Sequence, residues 1–360
     1  MSAISEPRRL SVASSAALYE VLIGPGQMTQ ALADAPAIVI ADRYFEDKLA
    51  GVEPDRLMLL DASEDGKTLD TVRNVILDMR RAEVRRDSLV LAVGGGVVQD
   101  VVTLAAQLYM RGVKWSLVPT TLLSMADSCL GGKSSINVGE VKNLAGSFYP
   151  PQRIYIDPIF VDTLTPIDRA CGYLEAVKIA YCRSSQAFDS YLVDAADTTH
   201  DGISNLLMLT LNAKRWFIEV DEFDHAERRI LNFGHTFGHA LEAASHLTVK
   251  HGIAVGYGML AALHFTALDR VLTNRELQLG TYVLGLLTEV VDFGAVRAVV
   301  DWEVFRAAFE SDKKHSADRY ILILPAEEGL GAELRELEKS ASSLERVEAA
   351  LGMALVGAKI

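Results

Sequence analysis

His235 and His239 stand four residues apart in Leu231–Gly252, LNFGHTFGHALEAASHLTVKHG, and His251 follows sixteen residues after the first. On a helix, positions i and i+4 lie one turn apart on one face, and imidazole is the commonest nitrogen ligand for metals. The pair therefore has the form of a zinc half-site, with His251 offered from beyond a loop. Five of the eight histidines fall between residues 225 and 251. The same residues also fit an Ala- and Leu-rich core helix whose histidines are merely satisfied polar groups, and spacing leaves both readings open.

Other stretches also carry residue types that do chemistry. Val93-Gly94-Gly95-Gly96-Val97-Val98-Gln99-Asp100 follows a strand-like run and opens a helix, so free backbone N–H groups and the helix dipole can meet a phosphate there; a tight strand-to-helix turn reads the same way. Asp42, ending an earlier strand, suits a ribose hydroxyl or a helix N-cap. From Arg111 to Asn143, a strand ends in Pro119-Thr120-Thr121, and Asp127, Lys133, Lys142 and Asn143 follow among Gly and Ser. These offer donors and point charges for phosphate or sugar, or form a solvated loop. Glu175 and Lys178 share a helix face at i,i+3, and Lys214, Asp224, Arg228 and Asn232 lead into the histidines. Asp312-Lys313-Lys314 precedes a late strand-like run.

The elements that must position these groups change character along the chain. Ala35–Ala41, Leu57–Asp61, Ser88–Val93 and Lys114–Val118 are short apolar runs, and residues 43–50, 67–84 and 97–110 between them read as helices. Strands alternating with helices predict a parallel sheet of βαβ units, with ligands beyond the carboxyl ends of the strands. From Pro166 onward helical periodicity dominates through 166–195, 201–220, 229–246, 252–290 and 292–311, broken by the strand-like Tyr320–Leu324. The tail Glu333–Ile360 reads as one or two surface helices. The expectation is an α/β domain over 1–165 with a Rossmann-like, dinucleotide-binding parallel sheet, and a mainly α-helical domain over 166–360.

The 360 residues give room for two cores. Acidic residues outnumber basic ones 48 to 35, a formal charge of −13, which argues against nucleic acid or an anionic membrane as partner. Cys129, Cys171 and Cys182 form no CxxC pair, so a reducing compartment is the expectation. No h-region opens the sequence and no run approaches the ~18 apolar residues of a membrane span. The reading is a cytoplasmic protein.

In order and spacing, GGGVVQD, YMRG, VPTTLL, ADSCLGGKSSIN, KN, EAVK, LNFGHTFGHALE and HG resemble the 3-dehydroquinate synthases and related sugar phosphate cyclases, over about residues 36 to 325. The resemblance implies a zinc or cobalt ion on Glu175, His235 and His251, with His239 beside the substrate phosphate instead of on the metal. It implies NAD against Gly94, Gly95, Gly96, Asp100, Thr120 and Thr121, with Asp42, Glu64, Lys67, Asp127, Lys142 and Thr163 lining the cofactor further. Lys133, Asn143, His239 and one of Lys313 or Lys314 match phosphate contacts. Lys178, Lys214, Asp224, Arg228 and Asn232 match the remaining substrate and catalytic positions. Arg111 matches an arginine that reaches into a neighbouring subunit, which implies a homodimer.

The implied activity is that of a carbon–oxygen lyase of the shikimate pathway: NAD is reduced transiently, phosphate is eliminated, hydride returns, and an intramolecular aldol closes the carbocycle. Lys214, Arg228 and Asn232 match a carboxylate-binding set, which favours 3-deoxy-arabino-heptulosonate 7-phosphate as substrate. Several positions depart from the family pattern. Gln99 stands for a glycine, Val138-Gly139-Glu140-Val141 for His-Pro-Leu-Gly, Ile253 for the Glu of HGE, Asp224 for Glu and Ser134 for Thr. These leave open a relative acting on sedoheptulose 7-phosphate, glucose 6-phosphate or an amino analogue. A metal-dependent dehydrogenase of the glycerol dehydrogenase type shares the plan, although its substrate would need no phosphate lysines; a descendant that only binds a sugar phosphate would be expected to have lost metal ligands.

Overall fold

The computed structural model describes residues 6–139 and 141–360. Residues 1–5 of the first expected domain and Glu140 of the departing tetrapeptide lie outside the described residues. In chain order the elements are β1 (Arg8–Ala13), β2 (Leu18–Ile23), α1 (Gln27–Ala33), β3 (Ile38–Asp42), β4 (Leu57–Leu60), α2 (Leu69–Arg81), β5 (Leu89–Gly94), α3 (Gly96–Leu108), β6 (Lys114–Pro119), β7 (Lys133–Val138), β8 (Val141–Phe148) and β9 (Arg153–Ile156). Then follow α4 (Pro166–Arg183), α5 (Ser185–Asp194), α6 (His200–Val220), α7 (His235–Ala244), α8 (His251–Ala267), α9 (Asn274–Val290), α10 (Phe293–Ala298), α11 (Trp302–Glu310), β10 (Arg319–Pro325), β11 (Ala332–Glu338) and α12 (Ala341–Leu355).

Two compact units result. The first holds Met1–Leu164 together with Asp194–Asp224, and the second Thr165–Val193 together with His225–Ile360. Helix α6, expected with the second domain, thus packs with the first: Leu206, Leu207, Leu211 and Phe217 are buried, and Arg8 of β1 pairs with Asp201 at 2.7 Å. Periodicity alone identifies α6 as a helix but says nothing about which core its apolar face joins.

The first unit is built on a seven-stranded sheet in the order β1-β2-β9-β6-β5-β3-β4, parallel except for the β1–β2 hairpin. Strands such as β5, LVLAVG, are apolar throughout because both faces of a parallel sheet are covered. From β3 the chain passes to β4 on one side and, after α2, to β5 on the other, so the sheet's switch point lies between β3 and β5. Their carboxyl ends carry Asp42 and Gly94, the place where open α/β sheets bind ligands. Three strands of this sheet were not expected: β1 is half-polar, β2 is short and interrupted by Glu20, and β9 is only four residues long. The expected helix at 43–50 is a 3-10 turn over Arg43–Leu49. Part of the Gly- and Ser-rich stretch is the antiparallel β7–β8 hairpin.

In the second unit α8 is the central helix, with Gly252–Thr266 buried at every position. The runs expected as single helices at 166–195, 252–290 and 292–311 each break in two, and 229–246 begins as a 3-10 turn over Glu227–Asn232 before α7. The tail also departs from expectation: β11 pairs with β10, and α12 buries Val347, Leu351 and Leu355. Glu336 and Glu338 of β11 are exposed and only Ala332 is buried, so it lacks the apolar run of a core strand.

Close approach within this unit is set by hydrogen side chains. A Cβ at Gly258 would fall 1.9 Å from the Gly234 carbonyl oxygen, and one at Gly252 would fall 2.5 Å from Cys171 Cα. Helix α8 therefore lies against α7 and α4 with no room for a methyl group. Gly258→Ala is expected to destabilise the protein by about 2–3 kcal/mol, the upper part of the overpacking range, in urea unfolding; a change under about 0.5 kcal/mol, the level of a neutral surface substitution, would contradict this packing.

Candidate active site

Glu175 sits in the middle of α4, and His235 and His251 are the first residues of α7 and α8. Glu175 is 1 % exposed. Its Oε2 accepts from the Lys178 ammonium. Its Oε1 is buried without a hydrogen-bond partner, yet stands 3.3 Å from His251 Nε2 and 3.7 Å from His235 Nε2. Ligand atoms of a tetrahedral zinc, at bonds of 2.0–2.1 Å, are separated by about 3.3 Å. The oxygen left over by Lys178 thus faces two imidazole nitrogens at near-coordination spacing.

The far side of each ring is already engaged. His251 Nδ1 lies 3.0 Å from Glu242 Oε2, and His235 Nδ1 lies 3.3 Å from the Phe233 carbonyl. Carboxylate and carbonyl partners of this kind fix the tautomer that leaves Nε2 free for a metal. His239 belongs to the same histidine cluster, whose ligand atoms lie within 4.8 Å of one another. Glu175 Oε1 forms a second set with His235 and His251, at 3.7 and 3.3 Å. The donor set, two imidazoles and a carboxylate, suits zinc or a similar divalent ion.

The charges balance within the cluster, and a metal would have to displace the proton that His251 holds. Burial would raise the Glu175 carboxyl, but Lys178 and His251 beside it hold it well below the usual carboxylate range. Burial would lower His251, but Glu175 and Glu242 push it up to about 10. Burial and the Lys178 ammonium keep His235 well below its ordinary value. Burial and the neighbouring His251 push His239 down to about 4, although the residue is exposed to solvent. His239 is therefore a neutral hydrogen-bonding group at neutral pH. Of the two late lysines, Lys314 is half-buried and acts electrostatically on His239, with its ammonium 2.5 Å from Asp312, whereas Lys313 is exposed.

Nearby in this unit, Arg228 is buried in the turn before α7 and Asn232 donates to the Arg229 carbonyl at 3.0 Å.

The first unit gathers its residues in four groups. At the switch point, Gly95 precedes α3 with no side-chain cap, leaving the first-turn N–H groups of Gly96, Val97 and Val98 without intrahelical acceptors. A Cβ on Gly96 would meet nothing within 4 Å, whereas one on Gly95 would strike Thr121 at 2.9 Å. Thr120 donates its N–H to the Gly94 carbonyl. This is an open helix N-terminus that an anionic phosphate can approach closely, as NAD requires. Beside it, buried Lys67 pairs with Asp100 at 2.7 Å and donates to Asn143 Oδ1 at 2.8 Å. Burial lifts Asp100 to about 6 against the pull of Lys67. Asn137 links Asn143 to Glu64, and Lys142 lies 3.9 Å from Glu64.

The remaining two groups are ion pairs. Lys133 Nζ lies 2.5 Å from Asp224 Oδ2, and the buried Lys214 ammonium contacts both the carboxylate and the carbonyl of Asp127. Asn143 and Asp224 hold left-handed φ of 52° and 63°, a strained state for residues other than glycine that clusters at functional positions. Three expected positions have no side-chain bond to these groups among the described residues. Asp42 caps its own turn through Tyr44 N, Thr163 donates to the Phe160 carbonyl, and Arg111 is exposed. Glu242 and Asn137 were not singled out by sequence; Glu242 had a signal, since 235, 239 and 242 fall on one face of α7.

Comparison with known proteins accords with these features. A family model described as 3-dehydroquinate synthase N-terminal matches residues 57–170, and one described as 3-dehydroquinate synthase C-terminal matches 172–315. The 3-dehydroquinate synthase of Sulfurovum sp. (strain NBC37-1) is 32% identical over 295 residues, 81% of this chain and 82% of that one. Among solved structures, 2-epi-5-epi-valiolone synthase from Streptomyces hygroscopicus subsp. jinggangensis 5008, with NAD+ and Zn2+ bound, superposes with a TM-score of 0.79 at 27% identity, covering 96% of this chain and 99% of its own. A 2-deoxy-scyllo-inosose synthase complexed with carbaglucose-6-phosphate, NAD+ and Co2+ has a TM-score of 0.81 with the same coverage; at 21% identity it shows the common fold. Reductases and dehydrogenases match at only 12–15% identity.

Glu242→Gln is expected to weaken Zn2+ binding about 10- to 100-fold, the usual loss when a carboxylate behind a liganding histidine is removed, measured by competition with a chromophoric chelator. Unchanged affinity would mean that Glu242 does not orient His251.

Proposed function

The chain belongs to the 3-dehydroquinate synthase family, and we propose that it converts 3-deoxy-arabino-heptulosonate 7-phosphate to 3-dehydroquinate and phosphate, using NAD and a divalent ion, Zn2+ or Co2+. The observation that carries this reading is the partnerless Glu175 Oε1, buried and aimed at the Nε2 atoms of His235 and His251. When bound, NAD takes up and returns a hydride at a ring carbon and the divalent ion draws electron density from the neighbouring oxygen.

The protein's own residues then bind, orient and screen. Glu175, His235 and His251 are the metal set, with Glu242 and the Phe233 carbonyl holding the rings. Gly94, Gly95 and Gly96 with Thr120 and Thr121 form the nucleotide cradle, flanked by Lys67, Asp100, Glu64 and Lys142. Lys133, Asn143, His239 and Lys314 are assigned to phosphate, Lys133 and Lys314 as point charges and neutral His239 as a hydrogen-bonding group. Lys178 holds one Glu175 oxygen and is assigned to proton movement at the oxidised carbon. Lys214, Asp224, Arg228 and Asn232 are assigned to the rest of the substrate, with the Arg228 guanidinium suited to a carboxylate by its bidentate fork. Phosphate departure, ring opening and aldol closure occur within the substrate, which the protein orients and shields.

Two finer readings accompany this one. Met110, Arg111 and Gly112 all hold positive φ, 50°, 67° and 117°, and this strain presents Arg111 outward; we read it as a contact to a second copy in a homodimer. Among the described residues no helix is long and apolar enough to cross a membrane, and we place the enzyme in the cytoplasm.

The test is phosphate release from the carboxylated heptulosonate phosphate, sedoheptulose 7-phosphate and glucose 6-phosphate, side by side with Zn2+ and NAD supplied. Release from the first alone is expected, and Arg228→Ala should raise its KM by about 10- to 100-fold, the loss of a charge-assisted hydrogen-bonded contact. Turnover of a neutral sugar phosphate instead, indifferent to Arg228→Ala, would move the chain to a sister cyclase.

A further inference from the structure

Gln99 lies in the first turn of α3 and is 2 % exposed. Its backbone N–H donates to the Gly95 carbonyl, so it is anchored on the turn that forms the open N-terminus. Its side chain leaves α3. The amide Nε2 donates to the Ser128 carbonyl at 2.7 Å, and Oε1 accepts from Ser128 Oγ at 2.9 Å. Both ends of one buried amide are thus spent on one residue.

Ser128 closes a π-helical turn, Ser124–Ser128. Such turns lift the chain out of the regular ladder and recur at functional sites. The start of the turn is tied to Thr121 by reciprocal hydrogen bonds between Thr121 and Ser124. At its other end stands Asp127, whose carboxylate and carbonyl both receive the Lys214 ammonium from α6. The Gln99 clamp is therefore the side-chain tie from the glycine turn to the far end of this segment. A buried amide that loses both partners is costly, so the turn and the helix are held in one register.

We propose that Gln99 is a positioning residue: it couples the nucleotide-binding end of α3 to the π turn, so that nucleotide binding orders the Asp127–Lys214 pair that faces substrate. The coupling is confined to the first unit. It deepens the reading of α3 as the NAD cradle and of Lys214 as a substrate group, and rests on that reading.

The experiment compares the whole protein, Gln99→Met, which keeps the volume but makes neither bond, and Ser128→Ala, which removes only the hydroxyl. Hydrogen exchange of the backbone over 124–130 is followed with and without saturating NAD+, and NAD+ affinity is measured separately by calorimetry. In the unaltered protein NAD+ should slow exchange in this turn by about fivefold or more, the scale of one hydrogen bond. Gln99→Met should abolish that protection while NAD+ affinity stays within about threefold, since the backbone N–H groups of α3 remain. Ser128→Ala should keep part of the protection. In turnover, Gln99→Met should lower kcat/KM about 10- to 100-fold, as misplacement at a distance does, and adding Ser128→Ala should cost little more, because the two changes break the same bonds. Full NAD+-dependent protection in Gln99→Met, or no protection in the unaltered protein although NAD+ binds, overturns the coupling. Absence of turnover in the unaltered protein, with the exchange pattern intact, would instead overturn the assigned activity alone.

Discussion

The contacts of α8 with α4 and α7 are the constraint on which the metal set depends. The three proposed ligand positions come from three helices, and two of these begin with their histidine. A helix start is a poor place to fix a side chain unless the helix axis is itself immobile. Here Gly252, one residue after His251, lies against Cys171, one turn before Glu175, and Gly258 lies against the carbonyl of Gly234, one residue before His235. The same backbone contacts that exclude a methyl group therefore set the spacing of Glu175, His251 and His235. Lys178 and Glu242 then fix the side chains within that frame.

A second theme is how an acidic protein, at a formal charge of −13, presents lysines to an anionic substrate. Each inward lysine has an acidic partner: Lys67 with Asp100, Lys133 with Asp224, Lys178 with Glu175, Lys214 with Asp127 and Lys314 with Asp312. A buried ammonium without such a partner would lose its charge or destabilise the fold. The partners also set how strongly each lysine is offered, because an arriving phosphate competes with a carboxylate already in contact. The strained backbone at Asp224 and Asn143 belongs to the same arrangement, since it aims a carboxylate at Lys133 and an amide oxygen at Lys67.

Much of this was legible in the sequence, for physical reasons that differ by residue. Parallel strands buried on both faces are uninterrupted apolar runs, so β3, β4, β5 and β6 announced themselves, and the glycine turn after β5 was readable as a phosphate site. Strand β1 and the glutamate-rich β11 bury one face or less and gave no comparable signal, and β2, although largely buried, is interrupted by Glu20. The i,i+4 histidine spacing pointed to a metal, and His235 and His239 do lie in one cluster with His251. The carboxylate proposed beside them, Glu175, lies sixty positions away on another helix and became visible only through family resemblance. Grouping of α6 with the first unit was not legible at all, because an amphipathic face does not name its partner.

The most direct test of the account is X-ray absorption at the zinc edge of the protein loaded with one equivalent of Zn2+. Two imidazole nitrogens and a carboxylate oxygen at about 2.0–2.2 Å, with the imidazole count reduced by His251→Ala and unchanged by His239→Ala, is the predicted result. A shell of three imidazoles that loses one in His239→Ala, or one that is indifferent to Glu175→Gln, would contradict it.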